Sequence, residues 1–394
     1  MKKIVLFYKR LVEPGGAERL LINEYLSFKR LGYDVDIVSF DIKDEALFGE
    51  AIDPSNKIVL GQQWFTAMLN YIRYIKHNKD AIYLCASGFI EMYIASLFVD
   101  YKYNLHIHHP SFMSFNETDK YSIFQIKHFE SMLKSNFGAS RFKRIYEEMS
   151  FFEKIYINAR AFFSIRSIKK SENNFVLSEY AKNEKSILFG IDSNVLCGAL
   201  NESIFEYKPK KDFSKYACYK HKLLSIARLD ENKRLDELID AFSDFIKTEP
   251  ESILLIGGRG PELENLQKRV QDLGIEKNVE FLGFIAEEEL FDWYSIADLF
   301  VSIDWADYRI TMYEALVMDT KVVLSDETDA DPFLCDSKYL YITKPDKFST
   351  LSTLSLALRE EPTVSKLELK EYLKKFTWLN YCKEISCVLD KSNA

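Results

Sequence analysis

The chain has 394 residues and a net charge of −8, with 47% hydrophobic and 28% charged residues. This length exceeds one ordinary core and indicates two domains of about 150–200 residues each. The negative balance argues against nucleic-acid binding.

Six cysteines without a C-x-x-C pair, and no histidine spaced for zinc, fit reduced thiols in a cytoplasm rather than a zinc site. The N-terminal apolar run, interrupted by Lys9, is too short for a signal peptide, so we expect a cytoplasmic protein.

Short apolar runs alternate with helical patterns in the N-terminal half. Residues 3–8 and 35–40 predict strands, and residues 17–31 predict the helix between them. Residues 81–99 resemble a membrane span in which Glu91 is the only charge. The break at Ser87-Gly88 instead predicts a buried strand followed by a core helix. This order indicates a parallel, doubly wound sheet.

The C-terminal half repeats this alternation. The predicted strands are 223–227, 253–256, 279–282, 299–303 and 321–324, and the predicted helices include 235–247, 287–297 and 311–318. The pattern predicts an α/β protein of two Rossmann-like doubly wound domains that face each other across a cleft. We expect an N-terminal domain at residues 1–205, a C-terminal domain at 206–376, and a last helix at 377–394 that packs back on the N-terminal domain.

Several residues at predicted strand ends are candidates for chemistry. Gly15 and Gly16 follow the first strand, where paired glycines permit close approach of a ligand, or simply form a tight turn; no G-x-G-x-x-G fingerprint is present. His109 ends a strand that also carries His106 and His108, and its position favours a role in the cleft over a core histidine or a metal ligand.

Charged residues follow two strands of the C-terminal half. Arg228 and Lys233 can neutralise a diphosphate, or lie on a solvated turn. Asp307 and Glu314 can accept hydrogen bonds from sugar and ribose hydroxyls, and the backbone N–H groups around Ile310 can face a phosphate. The alternative for these acids is loop solvation and complementarity to a helix N-terminus.

Seven segments, in order, resemble motifs of the family-4 retaining glycosyltransferases of the GT-B fold, and the resemblance covers nearly the whole chain. They are residues 15–19 (GGAER), 175–181 (FVLSEYA), 224–233 (LSIARLDENK), 258–262 (GRGPE), 279–283 (VEFLG), the pair Asp307 and Glu314, which resembles the family's E-x7-E motif, and 376–378 (FTW).

The resemblance implies transfer of a sugar from a UDP- or GDP-sugar to a glycan or polyprenyl-diphosphate-linked acceptor, with retention of configuration and without a metal or other cofactor. It also implies that residues 1–205 form the acceptor-side domain and residues 206–376 the nucleotide-sugar-binding domain. This activity belongs to cell-surface polysaccharide or glycoconjugate biosynthesis. The implied catalytic residues are His109, Arg228, Lys233 and Asp307, and the implied donor-binding residues are Gly15, Gly16, Gly258, Arg309, Ile310, Thr311 and Glu314.

The sequence departs from the family at Asp307, which is not Glu, and at Tyr308-Arg309-Ile310, which replaces the family's "g-f-G". These departures leave open a catalytically inactive GT-B protein that partners an active transferase. A glycoside phosphorylase of the same fold is a further alternative.

A basic, aromatic stretch lies between Lys120 and Lys170. It holds 11 Lys/Arg, 4 Asp/Glu and 11 Phe/Tyr, so its local charge is +7 and the rest of the chain carries −15. The aromatics fit the core side of ordinary helices, or a surface that binds an anionic membrane. The charge asymmetry favours the membrane, and we expect peripheral binding at the inner face of the plasma membrane.

Overall fold

The computed structural model describes residues 2–13, 15–107, 149–198, 200–304, 306 and 308–392. The chain forms two compact units, Met1–Cys197 with Trp378–Ala394, and Gly198–Thr377. Each unit is built on one parallel sheet, with strand order β3-β2-β1-β4-β5-β6-β7 in the first and β10-β9-β8-β11-β12-β13 in the second. The prediction of two Rossmann-like doubly wound domains is therefore confirmed.

The strands of the first sheet are β1 (Lys3–Tyr8), β2 (Asp34–Ser39), β3 (Lys57–Val59), β4 (Ile82–Ser87), β5 (Tyr103–Ile107), β6 (Asn174–Val176) and β7 (Asn194–Val195). Those of the second are β8 (His221–Ile226), β9 (Ser252–Gly257), β10 (Val279–Gly283), β11 (Leu299–Ser302), β12 (Lys321–Ser325) and β13 (Leu340–Thr343).

The described helices of the first unit are α1 (Gly16–Arg30), α2 (Trp64–His77), α3 (Phe89–Ala95), α4 (Phe151–Lys170), α5 (Glu179–Phe189) and α13 (Trp378–Ser392). Those of the second are α6 (Leu235–Phe245), α7 (Leu263–Asp272), α8 (Glu287–Ile296), α9 (Ile310–Val317), α10 (Pro332–Asp336), α11 (Lys347–Arg359) and α12 (Lys366–Leu373).

The central strands are continuous apolar runs because helices cover both faces of each sheet. Strands β1 and β9 are buried along almost their whole lengths. The predicted break at Ser87-Gly88 is present: β4 ends at Ser87, Gly88 adopts a left-handed conformation with φ 99°, and α3 begins at Phe89. A Cβ at Gly88 would also lie 2.6 Å from the Phe7 ring, so both the space and the conformation there require glycine.

The last helix, α13, belongs to the first unit and packs on α1. A buried polar cluster joins it to the sheet. The Tyr381 hydroxyl lies 2.7 Å from Nε2 of His106 on β5 and 3.2 Å from Oε1 of Glu24 on α1. His106 Nδ1 lies 2.8 Å from the same Glu24 oxygen, and all three side chains are inaccessible to solvent. His106 is therefore part of a core cluster.

Candidate functional site

The strand order of the second sheet reverses beside β8. Strands β9 and β10 lie on one side of β8, and β11, β12 and β13 on the other. Ligands of doubly wound sheets bind outside the carboxyl ends of the strands at such a switch point. The segments that follow β8 and β11 carry the charged candidates Arg228, Lys233, Arg309 and Glu314, so both segments border this point.

The turn after β8 is held by the glycine loop that follows β9. The Ala227 and Leu229 N–H groups donate to the carbonyls of Gly257 and Arg259 at 3.1 and 3.0 Å. A Cβ at Gly258 would lie 1.8 Å from the Ala227 carbonyl oxygen, and Gly258 has φ 135°. Only glycine fits this close approach. Gly258 thus positions the backbone of the turn that carries Arg228.

Arg228 itself points outward. Its side chain is 75% exposed, and its Nε lies 3.1 Å from Oδ2 of Asp230. An exposed ion pair of this kind is weak. The guanidinium can therefore leave Asp230 for an anion at the strand end with little loss of stability.

Lys233 is anchored by an acid that the sequence did not single out. Its Nζ donates to Oδ2 of Asp304, just beyond β11, at 2.7 Å. The Asp304 side chain is 2% exposed, whereas that of Lys233 is 27% exposed. The pair thus has a buried carboxylate and an ammonium group that solvent can still reach.

Arg309, the residue that precedes α9, is turned inward onto the same acid. Its Nη2 donates to Oδ1 of Asp304 at 2.8 Å, and its Nη1 donates to the Ser302 hydroxyl at 2.7 Å. The Arg309 side chain is only 9% exposed. Two cations, Lys233 and Arg309, therefore share the carboxylate of Asp304.

The cluster around Asp304 keeps that carboxyl ionised. Burial by itself would raise its pKa, but the charges of Arg309 and Lys233, with hydrogen bonds from Lys233 and Ser302, lower the pKa below its ordinary value. The Ser325 hydroxyl also donates to the Asp304 backbone carbonyl at 3.0 Å. Ser302 on β11, Ser325 on β12, Lys233 after β8 and Arg309 before α9 thus fix the position of this acid.

Glu314 lies in the second turn of α9 and is 1% exposed. The Tyr294 hydroxyl lies 3.5 Å from its Oε2. The first residues of α9 are Ile310 and Thr311, and no side chain caps that end. Backbone N–H groups in the first turn of a helix lack partners within the helix and attract anions. The site therefore combines a helix N-terminus with a buried carboxylate in the following turn.

The spacing of Asp307 and Glu314 differs from that of the E-x7-E motif, so the predicted correspondence of Asp307 with the first acid is wrong. Six residues separate Asp307 from Glu314, whereas E-x7-E has seven between its acids. If Glu314 is the second acid of the motif, Ala306 occupies the position of the first acid. The aromatic residue of the motif then corresponds to Tyr308, and its last glycine corresponds to Arg309. The first acid is therefore absent, and a cation stands where the family has glycine. Asp307 lies outside the described residues.

The first unit carries the remaining candidates. Gly15 is the N-cap of α1 and Gly16 its first residue. Tyr8, at the end of β1, donates its hydroxyl to Oε1 of Glu18 at 2.7 Å. A Cβ at Gly15 would lie 2.5 Å from the other Glu18 carboxylate oxygen, so glycine leaves room for this acid. His109 lies outside the described residues.

Helix α4 exposes an aromatic surface. It has the N-cap Ser150, which forms a capping box with Glu153. Its exposed apolar side chains are Phe151, Phe152, Ile155, Tyr156, Phe162 and Phe163, with exposed fractions from 37% to 80%. Arg166 lies over the Phe162 ring at 4.2 Å. We call these six side chains the α4 aromatic face. The predicted basic segment 120–148, with Arg141, Lys143 and Arg144, lies outside the described residues.

Within the part of the chain that the structure describes, no group of three or more His, Cys, Asp or Glu side chains is placed to hold a metal ion. Nor does any helix of that part combine the length and apolar character needed to cross a bilayer.

Residues 210–374 match the family model described as "Glycosyl transferases group 1". The matched range includes both strand-end segments of the switch point and excludes the first unit. The resemblance to the family-4 glycosyltransferases is thereby confirmed over this range.

Two relatives and one solved structure illustrate the similarity. The chain is 28% identical over 166 residues to the alpha-monoglucosyldiacylglycerol synthase of Streptococcus pneumoniae, covering 41% of this chain and 37% of that protein. It is 37% identical over 124 residues to a GDP-mannose-dependent alpha-(1-6)-phosphatidylinositol monomannoside mannosyltransferase of Mycolicibacterium smegmatis. This match covers 29% of this chain and 32% of that protein. The chain thus matches about a third of the length of each relative.

The solved structure is Anabaena Alr3699/HepE in complex with UDP. It superposes with a TM-score of 0.72 at 13% identity and covers 99% of this chain and 100% of that chain. At that identity the likeness establishes the fold, which is GT-B. The chain therefore has the GT-B fold, and its residues 210–374 match the group 1 glycosyltransferases.

Proposed function

We propose that the protein is a retaining glycosyltransferase that moves a sugar from a nucleotide-sugar donor to a glycan acceptor. The observation that carries the proposal is that two cations, Arg228 and Lys233, follow β8 while a buried acid, Glu314, lies on the helix after β11, so that both segments border the switch point of a domain that matches the group 1 glycosyltransferases. These groups match the two ends of a nucleoside diphosphate, because cations neutralise phosphate and a carboxylate accepts hydrogen bonds from ribose hydroxyls.

The proposed donor is a UDP- or GDP-sugar. The name of one relative contains GDP-mannose, and one structure with this fold holds UDP. The backbone N–H groups of Ile310 and Thr311 at the start of α9 would face the diphosphate. Roles for Gly15, Gly16 and Gly258 in donor binding, and for His109 at the transferred sugar, remain proposals by resemblance.

The proposed mechanism needs no metal, since cationic side chains and a helix N-terminus take its place at the diphosphate. As the glycosidic bond to the donor breaks, negative charge grows on the leaving phosphate. Lys233 and Arg228 would stabilise that charge. The acceptor oxygen would then bond to the anomeric carbon on the face that the phosphate leaves, and the phosphate would take the proton of the acceptor hydroxyl. Because the new bond forms on the face where the old bond breaks, the configuration is retained.

Ligand-induced thermal stabilisation tests the donor proposal. The purified protein is screened against UDP-, GDP- and ADP-sugars, since a ligand of the folded state raises stability by mass action. We expect a concentration-dependent rise in Tm with a UDP- or GDP-sugar that Lys233→Ala weakens. No rise with any of the three classes would contradict the proposal.

A second candidate is a GT-B protein that binds the donor without transferring sugar, as a partner of an active transferase. Ala306 favours this candidate, because its methyl group cannot accept the hydrogen bonds of the motif's first acid. Donor binding without any transfer or hydrolysis across a panel of glycan and lipid-linked acceptors would select it.

We further propose that the acceptor is linked to a lipid, in the form of a polyprenyl diphosphate, and that the protein acts at the cytoplasmic membrane surface. The α4 aromatic face supports this, because exposed aromatics enter the interface of a bilayer while nearby cations meet anionic head groups. Helix α4 carries the cations Lys154, Arg160, Arg166, Lys169 and Lys170 against one acid, Glu153. The name of the Streptococcus pneumoniae relative also refers to a glycosylated diacylglycerol, which is a lipid.

Vesicle sedimentation tests the membrane proposal. Binding should appear with anionic lipid, weaken with salt, and fall when the exposed Arg160 and Lys169 become Glu. In a matched control variant, Lys268 and Lys277, which are exposed in the second unit, become Glu. This variant should bind the vesicles as the unaltered protein does. Equal binding to neutral and anionic vesicles, or none to either, would contradict the proposal.

A further inference from the structure

We propose that Asp304 is a positioning residue for Lys233 and that Arg309 cancels the charge of Asp304, so that Lys233 keeps its attraction for the donor diphosphate. This inference rests on the proposed function, since it assumes a diphosphate at Lys233. Its basis is a geometric fact: one carboxylate accepts from Lys233 at 2.7 Å and from Arg309 at 2.8 Å.

Lys233 alone among the three has a substantial accessible surface. Its side chain is 27% exposed, against 9% for Arg309 and 2% for Asp304. Lysine side chains are flexible and lose entropy when held. An acid fixed by the Ser302 hydroxyl at 2.8 Å, and through its backbone by Ser325, restricts the ammonium group before any ligand arrives. Asp304 thus prepares the position of the ligand-accessible cation.

That anchoring has an electrostatic cost. A lysine paired with one carboxylate forms a neutral unit, and a neutral unit attracts a diphosphate only weakly. Arg309 removes this cost. With Arg309 on the opposite oxygen of Asp304, the three side chains together carry a charge of +1, which is the charge that Lys233 would carry alone.

Arg309 acts through Asp304 rather than at the ligand. Its two Nη atoms donate to Asp304 and Ser302, and the side chain is nine-tenths buried. A neighbouring ion pair, in which Nη1 of Arg234 lies 2.7 Å from Oε2 of Glu327, has no net charge. The exposed ion pair of Arg228 and Asp230 also has no net charge. Among the described ion pairs at these strand ends, the cluster around Asp304 is therefore the source of net positive charge.

A charge cycle on these residues tests the inference. The dissociation constants of UDP and GDP are measured at low salt for the unaltered protein, Arg309→Met, Asp304→Asn and the double variant. Uridine and guanosine, which lack the diphosphate, serve as control ligands. Urea unfolding checks that each variant is folded, and Arg309→Lys provides a variant that conserves the charge.

We expect Arg309→Met to weaken diphosphate binding about tenfold or more, a change of about 1.4 kcal/mol, and to leave nucleoside binding unchanged. Adding Asp304→Asn removes the uncompensated acid and should restore most of the affinity, and Arg309→Lys should retain it. The difference in diphosphate affinity between the double variant and Arg309→Met should decrease as the salt concentration rises.

A double variant that binds the diphosphate as weakly as Arg309→Met, or an equal loss of nucleoside affinity, would overturn the inference, because either result indicates a structural role. Failure of the unaltered protein to bind UDP and GDP would instead overturn the proposed function, and this inference with it. The two failures are thus distinguished by the behaviour of the unaltered protein.

Discussion

Lys233 and Asp304 are 71 residues apart in the chain, yet the Lys233 ammonium donates to the Asp304 carboxylate at 2.7 Å. The contact forms because Lys233 follows β8 and Asp304 follows β11, and these parallel strands are neighbours. It places a ligand-accessible cation and a buried acid at the switch point of the second sheet, where a doubly wound fold binds its ligand.

The first prediction concerns the two cations of the site. Lys233→Ala and Arg228→Ala should each lower turnover on the order of a hundredfold, because charge on the leaving diphosphate loses a stabilising partner. Steady-state kinetics measure the effect. Lys247→Ala is the matched control, since Lys247 also pairs with an acid, Asp244, at 2.6 Å but lies just beyond the C-terminal end of α6. Near-unaltered turnover in both site variants would refute the assignment.

The second prediction concerns Glu314. Glu314→Gln keeps the size of this buried side chain and removes its charge, so donor binding should weaken by about 1–3 kcal/mol as ribose hydroxyls lose a charged acceptor. Calorimetric titration with the nucleoside diphosphate measures the change. A ligand without the ribose, inorganic pyrophosphate, should lose no affinity. Equal losses for both ligands would argue against contact between Glu314 and ribose.

The third prediction follows from the lowered pKa of Asp304. The folded-state pKa lies below the ordinary value of 3.8. The stability contributed by this carboxylate is therefore present above about pH 3.8 and is lost as the pH falls below it through the folded-state pKa. Asp304→Asn should destabilise the protein by about 2 kcal/mol at pH 6. That difference, measured by urea unfolding, should shrink toward acid pH; a constant difference would contradict the lowered pKa.

The fourth prediction concerns metals. If Lys233, Arg228 and the start of α9 neutralise the diphosphate, EDTA should leave turnover intact, and added Mg²⁺ should not raise it. The control is a parallel assay in which excess Mg²⁺ is restored after chelation, to separate metal removal from other effects of EDTA. A strict requirement for Mg²⁺ or Mn²⁺ would contradict the mechanism without a metal.

Much of the fold follows from local patterns in the sequence. The apolar runs predicted β1 at Lys3–Tyr8 and placed β8 to β12 within two residues of their bounds, because strands buried on both faces have a continuous apolar signal. Gly88 predicted the turn between β4 and α3 because few other residues adopt its conformation.

The chemistry of the site was less accessible from the sequence. Arg228, Lys233 and Glu314 were predicted as site residues from their positions after strands, and those roles stay predictions. Asp304 was not predicted, although an acid that directly follows a buried strand is a usable signal. The inward orientation of Arg309 depends on Ser302 and Asp304 together. Such an arrangement depends on which strands lie side by side and how they are aligned, and the local spacing of residues does not encode that information.

The central claim is transfer of a sugar with retention from a nucleotide donor, and a proton NMR time course tests it most directly. The protein is incubated with an α-configured UDP- or GDP-sugar that stabilises it and with a polyprenyl-diphosphate-linked glycan. We predict equimolar formation of nucleoside diphosphate and a new product whose anomeric coupling is that of an α-glycoside. A β-configured product would contradict retention, and a donor that binds but stays intact with every acceptor would contradict the assignment of a glycosyltransferase.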